Sequence, residues 1–390
     1  MLFQMQLLSI TWTYSWGIYS CLLPYFDLTL LSIPVLPAST AFITSSASTR
    51  NFEITMSLPN IFLIGASGYI GGTFLTFLTK ARPNLPIRAL VRSEEHADIL
   101  RKFYGSAVTP VIGSLEDSDF LRAEASKANI IVQAAPGMET AIAALIEGAA
   151  LNPLNKSLKE SDRPAIVHIS GSSNISHPVL GELLPRVFSD VDDLDDILAL
   201  DPSRIQVPCE NAIRTLSKEK NVRSVIISPP TILGHGKGAI KTETFQVGWY
   251  NAIIENGASF LLGKGTNAWS TVSISDLGRA ILFVFDEILK GEQSRIEYGD
   301  SGYYWVEAFE VSLMDRAKAI GERLFKEGKI GTPEVELKSL EEVTSRWSVY
   351  MGYLIGSSSR IKADRLKALG WKPLDFDWKV LVEEKGGKRC

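Results

Sequence analysis

The chain has 390 residues, 45% of them hydrophobic, enough to bury one large α/β domain or two lobes. A formal net charge of -4 gives no reason to expect nucleic acid or an anionic membrane as a partner. Three cysteines far apart (Cys21, Cys209, Cys390) and four histidines (His96, His168, His177, His235) without an HExxH spacing exclude a disulfide framework and point away from any metal centre.

Residues 1–55 read as lying outside the fold. Pro24, Pro34 and Pro37 interrupt any long helix, and the first basic residue is Arg50, so the charged start of a secretory signal is missing. Asp27 and the same prolines spoil a membrane span. The expectation is a dispensable extension, with Met56 as the functional start of a cytoplasmic protein; a loose membrane anchor in residues 1–55 is the alternative. Residues 56–235 then form a dinucleotide-binding domain. Residues 236–390 form mainly a second lobe with C-terminal helices and a return to the first sheet.

The first element is the apolar run Ile61-Phe62-Leu63-Ile64, the pattern of a buried parallel strand. It breaks at Gly65-Ala66-Ser67-Gly68-Tyr69-Ile70-Gly71 and resumes with helical spacing at Phe74, Leu75 and Leu78. Gly65 permits the tight turn and Gly68 lets a pyrophosphate approach the backbone. Gly71 lets the helix pack closely on the strand, while the helix N-terminus offers N–H groups to the anion. With a strand before and a helix after it, this loop predicts dinucleotide binding.

From there strand and helix patterns alternate, which predicts a doubly wound parallel α/β sheet. The second strand, residues 87–92, ends at Arg92-Ser93, where an NAD-preferring site usually carries an acidic residue for the ribose hydroxyls. An arginine beside a hydroxyl suits a 2′-phosphate, so NADP(H) is preferred and NAD(H) is the alternative. Glu94 and Glu95 fit the first turn of the next helix. Strands at 108–113, 129–136, 165–169 and 222–227 follow. Their carboxyl ends supply the remaining cofactor wall: Ser114 and Leu115, then Gln133, Ala134 and Ala135, then Pro229, Thr231 and Ile232. The fifth strand carries His168 and runs into Ser170-Gly171-Ser172-Ser173. Strand alternation points His168 and Ser170 to one face; a buried histidine hydrogen-bonded inside the sheet layer is the favoured reading of His168, and a catalytic role the alternative.

Together with Pro229-Pro230-Thr231-Ile232, Trp269-Ser270-Thr271-Val272-Ser273-Ile274-Ser275-Asp276-Leu277 and Leu369-Gly370-Trp371-Lys372-Pro373, these stretches carry a family resemblance. The chain resembles the extended short-chain dehydrogenase/reductase superfamily of the NAD-dependent epimerase/dehydratase type, with NmrA-like relatives, over residues 58–380. Two amphipathic helices read at residues 307–326 and 339–350 cover the second lobe and are available for self-association as a homodimer. The resemblance implies a Rossmann fold, a small-molecule substrate and a smaller substrate lobe that draws on residues 234–238, 242–257 and 264–269. It also implies a catalytic hydroxyl after strand five, matched best by Ser172 with Ser170 and Ser173 as neighbours.

One part of the family pattern is absent. Active members carry a Tyr-x-x-x-Lys pair on the next long helix, one turn apart. No tyrosine lies between Tyr104 and Tyr250 here, and the helix expected at residues 203–218 offers Arg204, Gln206 and Glu210 instead. The leading expectation is an NADP(H)-dependent oxidoreductase on a small carbonyl or alcohol, with Ser172, a water or His168 handling the proton. A non-catalytic redox-sensing regulator is the second expectation, and a nucleotide-sugar epimerase or dehydratase the third. The acidic run 189–196 misses the oxygen-ligand spacing of a calcium loop and reads as a solvated segment bordering the substrate pocket. Trp249 and Trp269 either pack or stack on a substrate, and Asp276 caps or anchors the following helix, with Ser275 as the competing cap.

Overall fold

The computed structural model describes residues 58–177, 180–241 and 246–383, so the expected extension and the start at Met56 lie outside the described residues. Short runs of Ile, Val and Leu, buried on both faces, build the central sheet, and amphipathic segments between them build its covering helices. In chain order these are β1 (Ile61–Ile64), α1 (Tyr69–Ala81), β2 (Ile87–Val91), α2 (Glu94–Tyr104), β3 (Val108–Ile112), α3 (Ser118–Ala125), β4 (Ile130–Gln133), α4 (Glu139–Leu151) and β5 (Ala165–Ile169). A short β6 (Phe188–Ser189) and α5 (Leu194–Leu198) precede α6 (Val207–Lys220), β7 (Arg223–Ser228) and β8 (Thr231–Leu233). Then come α7 (Val247–Asn256), β9 (Ser259–Leu262), β10 (Ala268–Ser273), α8 (Ile274–Leu289), β11 (Tyr303–Trp305), β12 (Phe309–Ser312) and α9 (Leu313–Lys326). The chain closes with β13 (Val335–Lys338), α10 (Leu340–Arg346), α11 (Val349–Gly356), β14 (Ile361–Lys362), α12 (Asp364–Ala368) and α13 (Trp378–Glu383).

Seven parallel strands form the main sheet in the order β3-β2-β1-β4-β5-β7-β11, the doubly wound order with an added edge strand. The direction of winding reverses between β1 and β4, which opens a crevice at their carboxyl ends. The sheet and its helices share one core running from Ile61 to Trp371. That core includes α8, which packs on α1, and β11, which pairs with β7, so the chain does return to the first sheet after residue 235. A second core gathers Trp249, Phe260, Trp269, Leu313, Ile320 and Ile355 from the C-terminal half.

Several sequence expectations shift for local reasons. The helix expected from residue 203 begins at Val207, with Pro208 in its first turn, where the missing N–H is harmless. The helical reading of residues 307–326 is wrong at its start, because Phe309–Ser312 pairs antiparallel with β10 and Ser312 caps α9. Residues 339–350 split into α10 and α11, each with its own serine cap, Ser339 and Ser348. Neither Ser275 nor Asp276 is the cap of α8: Ser273 Oγ accepts from the Asp276 N–H at 2.8 Å. Of its two expected roles Asp276 takes the anchoring one, fully buried and holding Arg279 and the backbone of Leu374 and Asp375. Among the described residues, no helix is long and apolar enough to cross a membrane.

Candidate active site

The glycine loop stands at the β1–α1 turn, against the crevice. Gly65 has φ +88°, and a Cβ there would sit 2.6 Å from the Ala134 carbonyl carbon, so both conformation and space demand glycine. A Cβ on Gly71 would lie 2.3 Å from the Gly65 oxygen, which is the close helix–strand approach the spacing predicts. Gly68 differs. Its backbone is extended, and a Cβ would meet only the Gly65 oxygen at 3.1 Å, leaving open space in front of the helix. The first turn of α1 has neither a capping side chain nor an acidic residue, so its positive end is left for an external anion. The loop therefore has the shape a pyrophosphate needs.

Arg92 follows β2 directly, is exposed, and has no hydrogen-bond or ion-pair partner among the described residues. Ser93 caps α2, accepting from the His96 N–H at 3.3 Å, while Glu94 in that first turn pairs with Arg101. Ser114 donates to Glu116, and Leu115 packs partly buried against the core. Ala134 and Ala135 abut Gly65. Gln133 turns inward rather than toward the crevice: it is fully buried, its Nε2 donating to the Ala135 carbonyl at 3.0 Å.

A cleft of about 710 Å³ opens beside the loop. Ile70, Ser170, Ser172, Ser173, Pro229, Thr231 and Ile232 line its sheet side; Trp249, Trp269, Leu313, Arg316, Tyr350 and Tyr353 line the other. It is large enough for a ligand of cofactor or substrate size. Both tryptophans also pack, Trp249 Nε1 donating to the Phe260 carbonyl at 3.3 Å and Trp269 Nε1 to the Ser357 carbonyl at 2.9 Å. Residues 234–238, expected on the substrate side, strap α1 instead: Tyr69 donates to the Gly234 carbonyl at 2.6 Å, and the Lys237 N–H donates to Thr73 Oγ1 at 3.0 Å. The expected substrate-side stretch 242–257 is described only from residue 246. The acidic run does not border the cleft. Asp190 is buried and accepts from the Trp305 and Arg365 N–H groups, and Arg186 pairs with Asp193 and Asp196.

The serine cluster behaves as three different residues. The Ser172 N–H donates to the Pro229 carbonyl at 2.9 Å, and Ser359 Oγ lies 3.0 Å from Ser172 Oγ, which fixes that hydroxyl at the cleft wall. Ser173 Oγ accepts from Gln206 Nε2 at 3.1 Å. Ser170 sits at the head of a polar network: its Oγ faces Gln206 Oε1 at 3.1 Å and the Glu210 carboxyl. Tyr303 donates to Glu210 at 3.1 Å and also lies 3.1 Å from Ser228 Oγ. His168 is not part of this group. Its ring is buried with Nδ1 2.8 Å from Gln133 Oε1, and burial pushes it down to about 4, so it is neutral at physiological pH and off the cleft wall.

Sequence reading passed over Glu210 as a candidate. The signal was present: Gln206, just before α6, and Glu210 in its first turn are four residues apart where the family places its Tyr-x-x-x-Lys pair, and both reach Ser170. Burial pushes Glu210 up to about 7, against the hydrogen bonds from Ser170 and Tyr303 and the charge of Arg214. The group thus exchanges its proton near neutrality, as an acid/base must.

This has a consequence for stability. A carboxyl whose folded pKa lies above its unfolded value holds a proton that the unfolded chain has already released. Stability therefore falls as pH rises from about 4.5 and levels off beyond about 7. In Glu210→Gln that contribution, about 3 kcal/mol in wild type, is expected to vanish. Denaturant midpoints of the two proteins across pH 4.5–8 check it; parallel curves would contradict it.

Residues 59–152 match the NmrA-like family. An oxidase of Acremonium, ucsJ, is 27% identical over 351 residues, which cover 84% of this chain and 98% of the oxidase. Among solved structures, the Streptomyces venezuelae dTDP-glucose 4,6-dehydratase DesIV, with NAD bound, superposes with a TM-score of 0.57 at 15% identity, over 83% of this chain and 96% of the dehydratase. The yeast methylglyoxal/isovaleraldehyde reductase Gre2, complexed with NADPH, gives 0.54 at 12% identity, over 83% and 96%.

Proposed function

From a chain with the extended short-chain dehydrogenase/reductase fold and an NmrA-like match over residues 59–152, we propose an NADP(H)-dependent oxidoreductase that interconverts a carbonyl and an alcohol. The observation that carries this reading is the Ser170–Glu210 network opening onto the same cleft as Ile70 of the glycine loop. The open space before Gly68 and the unengaged Arg92 fit the pyrophosphate and 2′-phosphate of the dinucleotide. When bound, the cofactor supplies the hydride. Ser172 orients the substrate oxygen, Ser170 delivers the proton to it, and the Glu210 carboxyl re-protonates Ser170. Glu210 thereby replaces the missing tyrosine as proton source, with Tyr303 holding it in place. The cofactor selectivity rests on Arg92. Arg92→Ala is expected to weaken NADPH roughly 10–150-fold, the loss of one charged contact of about 1.5–3 kcal/mol, and to leave NADH nearly unchanged. Titration of both nucleotides against wild type and variant checks this; equal weakening would remove Arg92 from the 2′-phosphate site.

A second reading has its own observation. The Tyr-x-x-x-Lys pair is missing, and the NmrA-like match covers residues 59–152, which include the glycine loop; this suits a protein that binds NADP(H) and signals its redox state without turnover. Oxidation of NADPH by an aldehyde and ketone panel, lost in Ser172→Ala, supports the oxidoreductase. Nucleotide binding without turnover by any member of the panel supports the sensor.

A further inference from the structure

We propose that the cleft takes a substrate bearing a carboxylate on an apolar or aromatic body, held by Arg316. This rests on the oxidoreductase reading for the word substrate, but the anion site stands on its own observations. Arg316 projects from α9 into the cleft wall and is 2% exposed. Among the described residues it has no carboxylate within ion-pair distance and no hydrogen-bond acceptor, and its Nε is buried without a partner. Desolvation lowers its pKa to about 10, so it remains charged at neutral pH. A buried, unpartnered guanidinium is costly unless something enters to neutralise it.

The surroundings specify that partner. Two arginines and no Asp or Glu stand among the described residues lining the cleft. Arg204 is held through its Nη1, which donates to the Asn174 and Ser176 carbonyls at 2.6 and 3.0 Å, whereas none of the Arg316 donors has an acceptor among the described residues. A planar guanidinium pairs best with a planar carboxylate, through two parallel hydrogen bonds. The rest of the wall is Trp249, Trp269, Leu313, Tyr350, Tyr353 and Leu354, which suits the flat or aliphatic remainder of such a molecule. With Ser170 and Ser172 on the opposite side, an anchored acid group would leave the reacting carbonyl facing the hydroxyls.

The test uses the full chain, with and without NADPH, and calorimetry with benzoate, 3-phenylpropanoate and hexanoate, each against its primary amide. Wild type is expected to bind at least one acid about 10–150-fold more tightly than its amide, the loss expected for one charged hydrogen-bonded pair. Arg316→Met is expected to erase that preference, and Arg316→Lys to keep part of it. Because the arginine has no hydrogen-bond or ion-pair partner among the described residues, the Met variant is expected to melt no lower than wild type. Acids that bind no better than amides, or equally well to the Met variant, would overturn the proposal. So would a Met variant melting several degrees lower, since that would mean a structural pairing. Acid selectivity without any NADPH binding would support the anion site while removing the oxidoreductase reading. NADPH binding without acid selectivity would do the reverse.

Discussion

Gly68→Trp is expected to abolish NADPH binding, a loss of roughly 10²–10⁴-fold, while the protein unfolds within a few degrees of wild type. The size follows from the contacts at stake. A pyrophosphate at the start of α1 takes at least two charge-assisted hydrogen bonds from backbone N–H groups, each worth about 1.5–3 kcal/mol. An indole in that space displaces the phosphate altogether. The fold is spared because Gly68 is extended, with φ -85°, a conformation open to any residue, and its side chain would point into open space. Gly65→Ala provides the contrast. At φ +88° and 2.6 Å from the Ala134 backbone, it is expected to lower stability, so loss of binding there would say nothing about the phosphate. Far-ultraviolet circular dichroism with nucleotide titration separates the two. Native-like Gly68→Trp that still binds NADPH would refute the phosphate-loop assignment.

The second large effect is on chemistry. Glu210→Gln is expected to slow NADPH-dependent carbonyl reduction about 10²–10⁴-fold, the range for removal of a positioned general acid/base. The direction of the pH dependence is fixed by the raised pKa. Reduction consumes a proton, so the protonated carboxyl is the active form, and the wild-type rate falls as pH rises through about 7. Alcohol oxidation needs the ionised form and rises through the same range. The Gln variant keeps a hydrogen bond to Ser170 but has no proton to exchange, so its residual rate is expected to lose this limb. A variant with full activity and the same pH profile would place the proton source elsewhere.

What the sequence disclosed depended on how locally each feature is encoded. The fifth strand reads as Ala165–Ile169 in both sequence and structure, because a buried parallel strand is a contiguous apolar run. The glycine loop is equally local, its three glycines serving one turn and one packing contact. The network around Glu210 is not. Tyr303 reaches it across 93 residues, through the pairing of β11 with β7, and Ser359 reaches Ser172 across 187. No spacing rule connects such positions. His168 was legible in the same local way: a histidine inside a buried parallel strand reads as one hydrogen-bonded within the sheet layer, and its Nδ1 lies 2.8 Å from Gln133 Oε1. Arg316 was legible and overlooked. It stands three residues after Leu313 and four before Ile320, within the apolar face of α9, where a charge needs a reason.

The measurement that tests the account most directly is a fluorescence titration of the full chain with NADPH and with NADH. The account predicts tight binding of NADPH and clearly weaker binding of NADH, because the open space at Gly68 admits the pyrophosphate of both and Arg92 serves only the phosphorylated ribose. A folded sample that binds neither nucleotide would contradict it, and the cleft would then have to be explained without a dinucleotide.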